Sequence, residues 1–148
     1  MTASLGVDFI NRVLATGGVL LRESQHFLRP LGVTEAQFNV LNVLANAPEG
    51  MSQRELGDVL LVDRSNVTGL LDRMEKAGWV RREDHRQDRR IHRVLLTASG
   101  RQLWARVWPL YLAAVGKVVA GLPAAGMKQA MASLVALEAG AQKWSRKL

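Results

Sequence analysis

Six arginines, Arg81, Arg82, Arg86, Arg89, Arg90 and Arg93, crowd one short polar stretch that follows closely on the run Arg64-Ser65-Asn66-Val67-Thr68-Gly69. Guanidinium groups at this density seek a polyanion, because their permanently charged, planar donor forks match phosphate oxygens and guanine edges. The upstream run offers a second chemistry. Ser65, Asn66 and Thr68 carry short hydroxyl and amide groups that can approach base edges, where a bulky apolar residue would hold the backbone away. Arg64, just ahead of them, can reach a guanine edge or a phosphate. Together these types and spacings describe a helix in a DNA major groove beside an arginine tip, Arg86, Arg89 and Arg90, in the neighbouring minor groove.

Positioning such groups needs a rigid frame, and the local signals for one are dense. Ser52-Gln53-Arg54-Glu55 is a capping box opening a short helix with Leu56, Val59 and Leu60 on its buried side. Its N-terminal end, at Ser52 and Gln53, suits a DNA-backbone phosphate. A turn at Leu61 and Val62 leads to Asp63, a good N-cap, and a helix to about Ala77 that Gly78 ends in the left-handed conformation. At 100° per residue Val67, Leu70, Leu71 and Met74 form one face. Ser65, Gly69, Asp72 and Lys76 lie opposite, flanked by Asn66, Thr68 and Arg73. Trp79 and Val80 begin one strand, Ile91 to Leu96 alternates as a second, and the polar residues between form a projecting hairpin.

The flanks are helical. Residues from Asp8 to Leu28 are apolar at helical spacing until Pro30 and Gly32, with Gly17 and Gly18 weakening the run. Thr34 and Gln37 begin a further helix that carries Val40, Leu41 and Leu44 and breaks at Pro48-Glu49-Gly50. Thr97 caps a long helix with Leu103, Trp104, Val107, Trp108, Tyr111 and Val115 on its apolar side, and Pro109 should kink it. Pro123 suits the first turn of a last helix bearing Met127, Met131, Leu134, Leu137 and Trp144. The expected fold is therefore mainly α with a small β-hairpin wing: a winged helix-turn-helix lobe, 34–100, between terminal helices, 1–30 and 101–148, in a single domain.

Bulk composition agrees. The 148 residues are 48% hydrophobic, enough for one core, and 20 basic against 13 acidic side chains leave a net charge of +7 that favours a nucleic-acid partner. With no cysteine, disulfides, thiolate metal sites and thiol-based peroxide sensing are excluded. Asp8, Asn11 and Arg12 interrupt the first apolar run, which argues against a signal peptide or a membrane span and for a cytoplasmic protein. No nucleophile elbow, phosphate-binding glycine loop or HExxH helix is present, so no catalytic residue is expected. His26, His85 and His92 lack metal-ligand spacing, and neither a metal nor another cofactor is expected.

The run from Thr34 to Gly100 resembles the multiple-antibiotic-resistance regulator (MarR) family of winged-helix regulators. The residues that carry the likeness are Leu41 to Leu44, Glu55-Leu56, Val67-Thr68, Leu71-Asp72, Met74-Glu75, Gly78-Trp79-Val80-Arg81-Arg82, Asp88-Arg89-Arg90 and Leu96-Thr97 with Gly100. The resemblance implies that Asp88-Arg89-Arg90 is the wing signature, with Arg89 or Arg90 at the minor groove. It also makes Asp63 a salt-bridge partner of Arg90, a role compatible with N-capping. Family members often carry an arginine directly after the recognition-helix threonine, and Gly69 stands there instead. A homodimer formed by the terminal helices, an inverted-repeat operator and repression relieved by a small aromatic or anionic effector follow from the same likeness. Arg22, His26, Phe38 and Trp104 are candidate effector liners, although aromatics at this spacing are more often core. Two other readings stay open: a winged-helix protein-interaction module, and a DNA-binding protein without an effector.

Overall fold

A computed structural model describes residues 2–60, 64–84 and 92–145. Helix α1, Thr2–Leu28, passes through one turn of 3-10 helix at Arg29–Leu31 to α2, Glu35–Ala45. Strand β1, Met51–Ser52, leads directly into α3, Gln53–Leu60, and α4 spans Arg64–Lys76. Strands β2, Val80–Asp84, and β3, His92–Leu96, precede the long helices α5, Ala98–Val119, and α6, Ala124–Ser145. Two compact units result, residues 1–109 and 110–148. The division falls in α5 just after Pro109, through which the helix runs unbroken. Thus α1 and residues 98–109 of α5 fall in the same compact unit as the winged lobe.

Each boundary of the winged lobe has a local cause. Thr34 Oγ1 accepts from the Gln37 amide while the Gln37 side chain accepts from the Thr34 amide, the reciprocal capping box expected there. Ser52 and Glu55 do the same at α3. At the end of α4, Gly78 has φ 77°, its amide donates to Glu75 O, and the Trp79 amide donates to Met74 O. That pair of bonds is the Schellman stop, which needs a residue without a Cβ penalty at the left-handed position. The helix therefore turns sharply into β2.

The sheet has three strands in the order β1-β3-β2, all antiparallel, one more than the expected hairpin. Met51 pairs with Val94 and Ser52 with Arg93. A two-residue strand leaves no periodicity to read, but Gly50 just before it marks the site: its φ is 73°, and a Cβ there would lie 2.7 Å from Val94 O. Only glycine allows the loop to approach β3 so closely.

Leu28, Phe38, Leu41, Leu44, Leu56, Val67, Leu71, Met74, Val80, Val94 and Val107 form the core of this unit, each nearly or fully excluded from solvent. The helical faces of α2 and α4 match the expected periodicity. On α3 the buried stripe differs: Leu56 and Gly57 are buried and Leu60 is half-buried, whereas Val59 is 55% exposed. The inward stripe of this short helix follows the i, i+4 pair Leu56 and Leu60 together with Gly57, and Val59 lies off it. Phe38, Trp108 and Trp104 form a stacked aromatic column with centroid separations of 6.4 and 5.9 Å.

Outside that core the helices are conspicuously apolar. Helix α1 exposes Leu5, Phe9, Ile10, Leu14, Leu20 and Leu21, and Ser4–Leu31, which contains an 18-residue window with a mean hydropathy of 1.3, is by length and composition long and apolar enough to cross a membrane. Asp8, Asn11 and Arg12 therefore do not exclude a span on composition alone. Within residues 110–148, Leu112, Val118, Leu122, Met131, Val135 and Trp144 are exposed.

The closest backbone approach in the first unit lies at Gly100. A Cβ at this buried glycine would sit 2.0 Å from Trp79 O. Gly100→Ala should therefore force α5 off the Gly78–Trp79 turn at a cost of about 2–3 kcal/mol. The expected readout is a melting temperature roughly 5–10 °C lower; an unchanged melting curve would contradict this packing.

Candidate nucleic-acid interface

Helix α4 presents the polar face that its periodicity predicts. Asn66, Thr68, Asp72, Arg73 and Lys76 are exposed and Gly69 is half-buried, while Val67, Leu70, Leu71 and Met74 point inward. The side chains of Arg64 and Ser65 lie outside the described residues, as do Asp63, Arg86, Asp88, Arg89 and Arg90. Of the expected contacts, the structure thus brings Asn66, Thr68, Gly69 and Arg73 together on one surface.

Two links hold that surface in place. Gln53, at the start of α3, donates from Nε2 to Thr68 Oγ1, joining the two helices of the helix-turn-helix near the expected base-reading end. Arg82, on β2, reaches back across the turn: Nη2 donates to Asp72 Oδ1 at 2.6 Å, and Nη1 bonds to Glu75 Oε2 at 2.5 Å. The Arg82 backbone amide also donates to Glu75 Oε1 at 3.2 Å. Partial burial opposes charge on Arg82, but its bonds to Asp72 and Glu75 outweigh that and hold its pKa above the ordinary arginine value. One guanidinium on the strand that leads into the wing thus binds two carboxylates of α4.

The arginine cluster therefore has divided roles. Arg93 Nη1 donates to the Glu49 and Gly50 carbonyls, both at 2.9 Å, tying β3 to the loop ahead of β1. Arg81 pairs with Glu83, and His92 with Asp84 at 2.9 Å. Arg81, Arg82 and Arg93 are thus engaged within the lobe. Charge density alone could not reveal this, because it depends on which groups the sheet register brings within reach.

Ser52 is also committed. Its amide donates to Glu55 Oε2 at 2.7 Å and its hydroxyl accepts from the Glu55 amide at 3.2 Å. The hydrogen bond from the Ser52 backbone, then that from its side chain, with Arg93 nearby, hold the Glu55 carboxyl below its ordinary pKa against a small opposing effect of burial. An ionised carboxylate consequently occupies the N-terminal end of α3, where a phosphate had been expected to sit. Gln53, bonded to Thr68, is engaged at that same end.

The candidate effector liners lie in different settings. Phe38 is buried, Trp104 donates from Nε1 to Asn42 Oδ1 at 3.2 Å while stacking on Trp108, and Arg22 and His26 lie beside Glu23 on the exposed part of α1. Two open recesses in the first unit have other walls. One, of about 350 Å³, is lined by Gln25, Arg29, Gly32, Val33, Thr34 and Gln37. The other, of about 420 Å³, is lined by Gly32, Trp79, Ser99, Gln102, Leu103 and Arg106. Among the described residues no group of three or more acidic or histidine side chains could hold a metal ion.

The MarR family model matches residues 31–91, which cover α2, the helix-turn-helix and the approach to β3. Residues 31–91 of this chain are therefore similar in sequence to the MarR family. The transcriptional activatory protein BadR of Rhodopseudomonas palustris is 41% identical over 75 residues, 49% of this chain and 43% of that protein. The chain thus spans less than half the length of the curated relatives it matches, 43% for BadR and 45% for the regulator PrsX of Escherichia coli. Solved MarR-type structures match over more of the chain. CouR from Rhodococcus jostii RHA1, bound to p-coumaroyl-CoA, superposes with a TM-score of 0.79 at 29% identity, covering 88% of this chain and 92% of CouR. A mutant MarR from E. coli complexed with operator DNA gives a TM-score of 0.79 at 27% identity, covering 89% and 95%.

In this MarR-type lobe Arg82 carries the link between recognition helix and wing strand. Arg82→Met retains the alkyl stem and removes both ion pairs, so it should cost about 1 kcal/mol of stability. The exposed pair partners also predict that the difference between wild type and Arg82→Met shrinks at high salt. Equal melting temperatures at low salt would show that the link contributes nothing.

Proposed function

We propose that this chain is a DNA-binding transcriptional regulator acting as a homodimer in the cytoplasm. The observation that carries the reading is the α4 surface itself, a polar face of small residues held at a fixed angle to an arginine-bearing hairpin. In this reading α4 enters the major groove, Arg64, Ser65, Asn66 and Thr68 face base edges, and Arg86, Arg89 and Arg90 reach the adjacent minor groove. Asp88 and Asp63 orient the wing arginines. Gln53 positions Thr68, and the backbone contact is carried by the outer arginines and Lys76 more than by the capped Ser52.

The exposed apolar side chains of α1, and separately those of residues 110–148, support a two-fold partner of the same sequence, since apolar faces left open to water need covering. A dimer places two α4 helices about one helical turn apart and calls for an inverted-repeat operator. An aromatic or anionic effector would find a cation in either recess, Arg29 in one and Arg106 in the other. Its binding would release the operator. Repression is the simplest outcome of occupying a promoter, and activation, as in the name of BadR, needs the same protein surface with a different operator position.

Fluorescence anisotropy with random and genomically selected duplexes tests the reading. A regulator contacting about six or more phosphates loses roughly a thousandfold in affinity between 50 and 200 mM salt. Absence of binding at low salt would remove DNA as the partner. Arg90→Ala should weaken operator binding about tenfold or more, the scale of a lost charge-assisted contact, while the dimer persists in sedimentation; unchanged affinity would remove the wing assignment. Loss of operator binding on adding an aromatic carboxylate supports effector control, and unaltered binding across a broad panel of aromatic acids counts against it.

A further inference from the structure

Gly69 lies in the interior of α4, where glycine disfavours a helix by about 1 kcal/mol relative to alanine. Nothing in its backbone explains the choice, since the described glycines with positive φ are Gly32, Gly50 and Gly78. The space above it does. A Cβ built at Gly69 has one near neighbour, Arg73 Nη1, at 3.5 Å. The Arg73 side chain thus folds back one turn toward the helix N-terminus, as long helical side chains do, and its guanidinium lies over the position where residue 69 has no side chain.

The rest of the surface leaves that guanidinium uncommitted. Asp72 and Glu75, the carboxylates nearest to Arg73 in the helix, are both engaged by Arg82. Among the described residues the Arg73 side chain makes no hydrogen bond or ion pair, and it is exposed.

We propose that Arg73, delivered through the gap at Gly69, is the guanine-reading side chain of this recognition helix. This rests on the DNA-binding reading above and adds its specificity determinant. Without a side chain at 69, the donor fork of an arginine one turn further along reaches the middle of the outward face, level with Asn66 and Thr68. Its ligand is the O6 and N7 edge of a guanine in each half-site, the acceptor pair that a guanidinium fork matches. Gly69 is a positioning residue in this arrangement.

The full-length protein first selects duplexes from a random pool. Each guanine of the selected duplex is then replaced in turn by 7-deazaguanine, which lacks the N7 acceptor. For wild type, one guanine per half-site should show a loss of about tenfold or more. Arg73→Ala should be insensitive at that guanine, with its affinity for random duplex changed far less. Arg73→Lys, which keeps the charge and the helix but lacks the fork, should be equally insensitive. Gly69→Ala should retain the guanine preference, because 3.5 Å is ordinary van der Waals contact, whereas Gly69→Leu should displace the guanidinium and abolish it. Guanine sensitivity surviving in Arg73→Ala, or an equal loss on every duplex including random, overturns the assignment while DNA binding stands. Wild type that binds no duplex at low salt overturns both.

Discussion

The backbone junction at Gly78 and Trp79 is the constraint on which the winged lobe turns. Gly78 ends α4 in the left-handed conformation, and Trp79 must then serve three neighbours. Its amide closes the helix on Met74 O, and its carbonyl receives the Thr97 amide at 3.1 Å. The same carbonyl lies against the bare α-carbon of Gly100. Thr97 Oγ1 donates to Gly78 O at 2.6 Å and accepts from the Gly100 amide at 3.0 Å. The end of the recognition helix, the start of β2, the end of β3 and the start of α5 thus meet within two residues. Because these are backbone bonds with little freedom, the direction of the wing relative to α4 is set before any side chain of the interface is considered.

Arg82 extends that constraint to the surface. A single guanidinium binding two carboxylates across a turn reinforces the angle already set by the Schellman stop, and it also changes the electrostatics of the helix. One of the two negative charges that would repel phosphate is offset, and both carboxylates are drawn toward the wing strand. The hydrogen bond between Gln53 and Thr68 acts on the other end of α4. Rigid support at both ends is what a surface needs if it is to discriminate among base edges, since a misplaced donor loses both energy and selectivity.

Much of this architecture was legible in the chain because it rests on local rules. Thr34 with Gln37, Ser52 with Glu55, and Gly78 after an amphipathic run each announce a helix boundary through the bonds of a few neighbouring residues. The inward face of α4 was readable from 3.6-residue periodicity, and all four of its apolar residues are buried. The exposed position of Val59 and the strand at Met51–Ser52 were not legible. One depends on the particular tilt of a short helix, and the other on a partner more than forty residues away. The assignment of Arg93 to the Glu49 and Gly50 carbonyls was hidden for the same reason.

The amino-acid sequence by itself determined the order of elements, their caps, the polar outer face of α4 and the excess of positive charge near the wing. These follow from short-range hydrogen bonding, periodicity and composition, which need no knowledge of the fold. Only the tertiary structure decided that Arg81, Arg82 and Arg93 are engaged within the lobe, because ion pairing depends on distances across a turn and between strands. It also decided the meaning of Gly69. In the linear chain that glycine is an absence where an arginine often stands; in three dimensions the guanidinium of Arg73 lies over it, since residues four apart share one face of a helix.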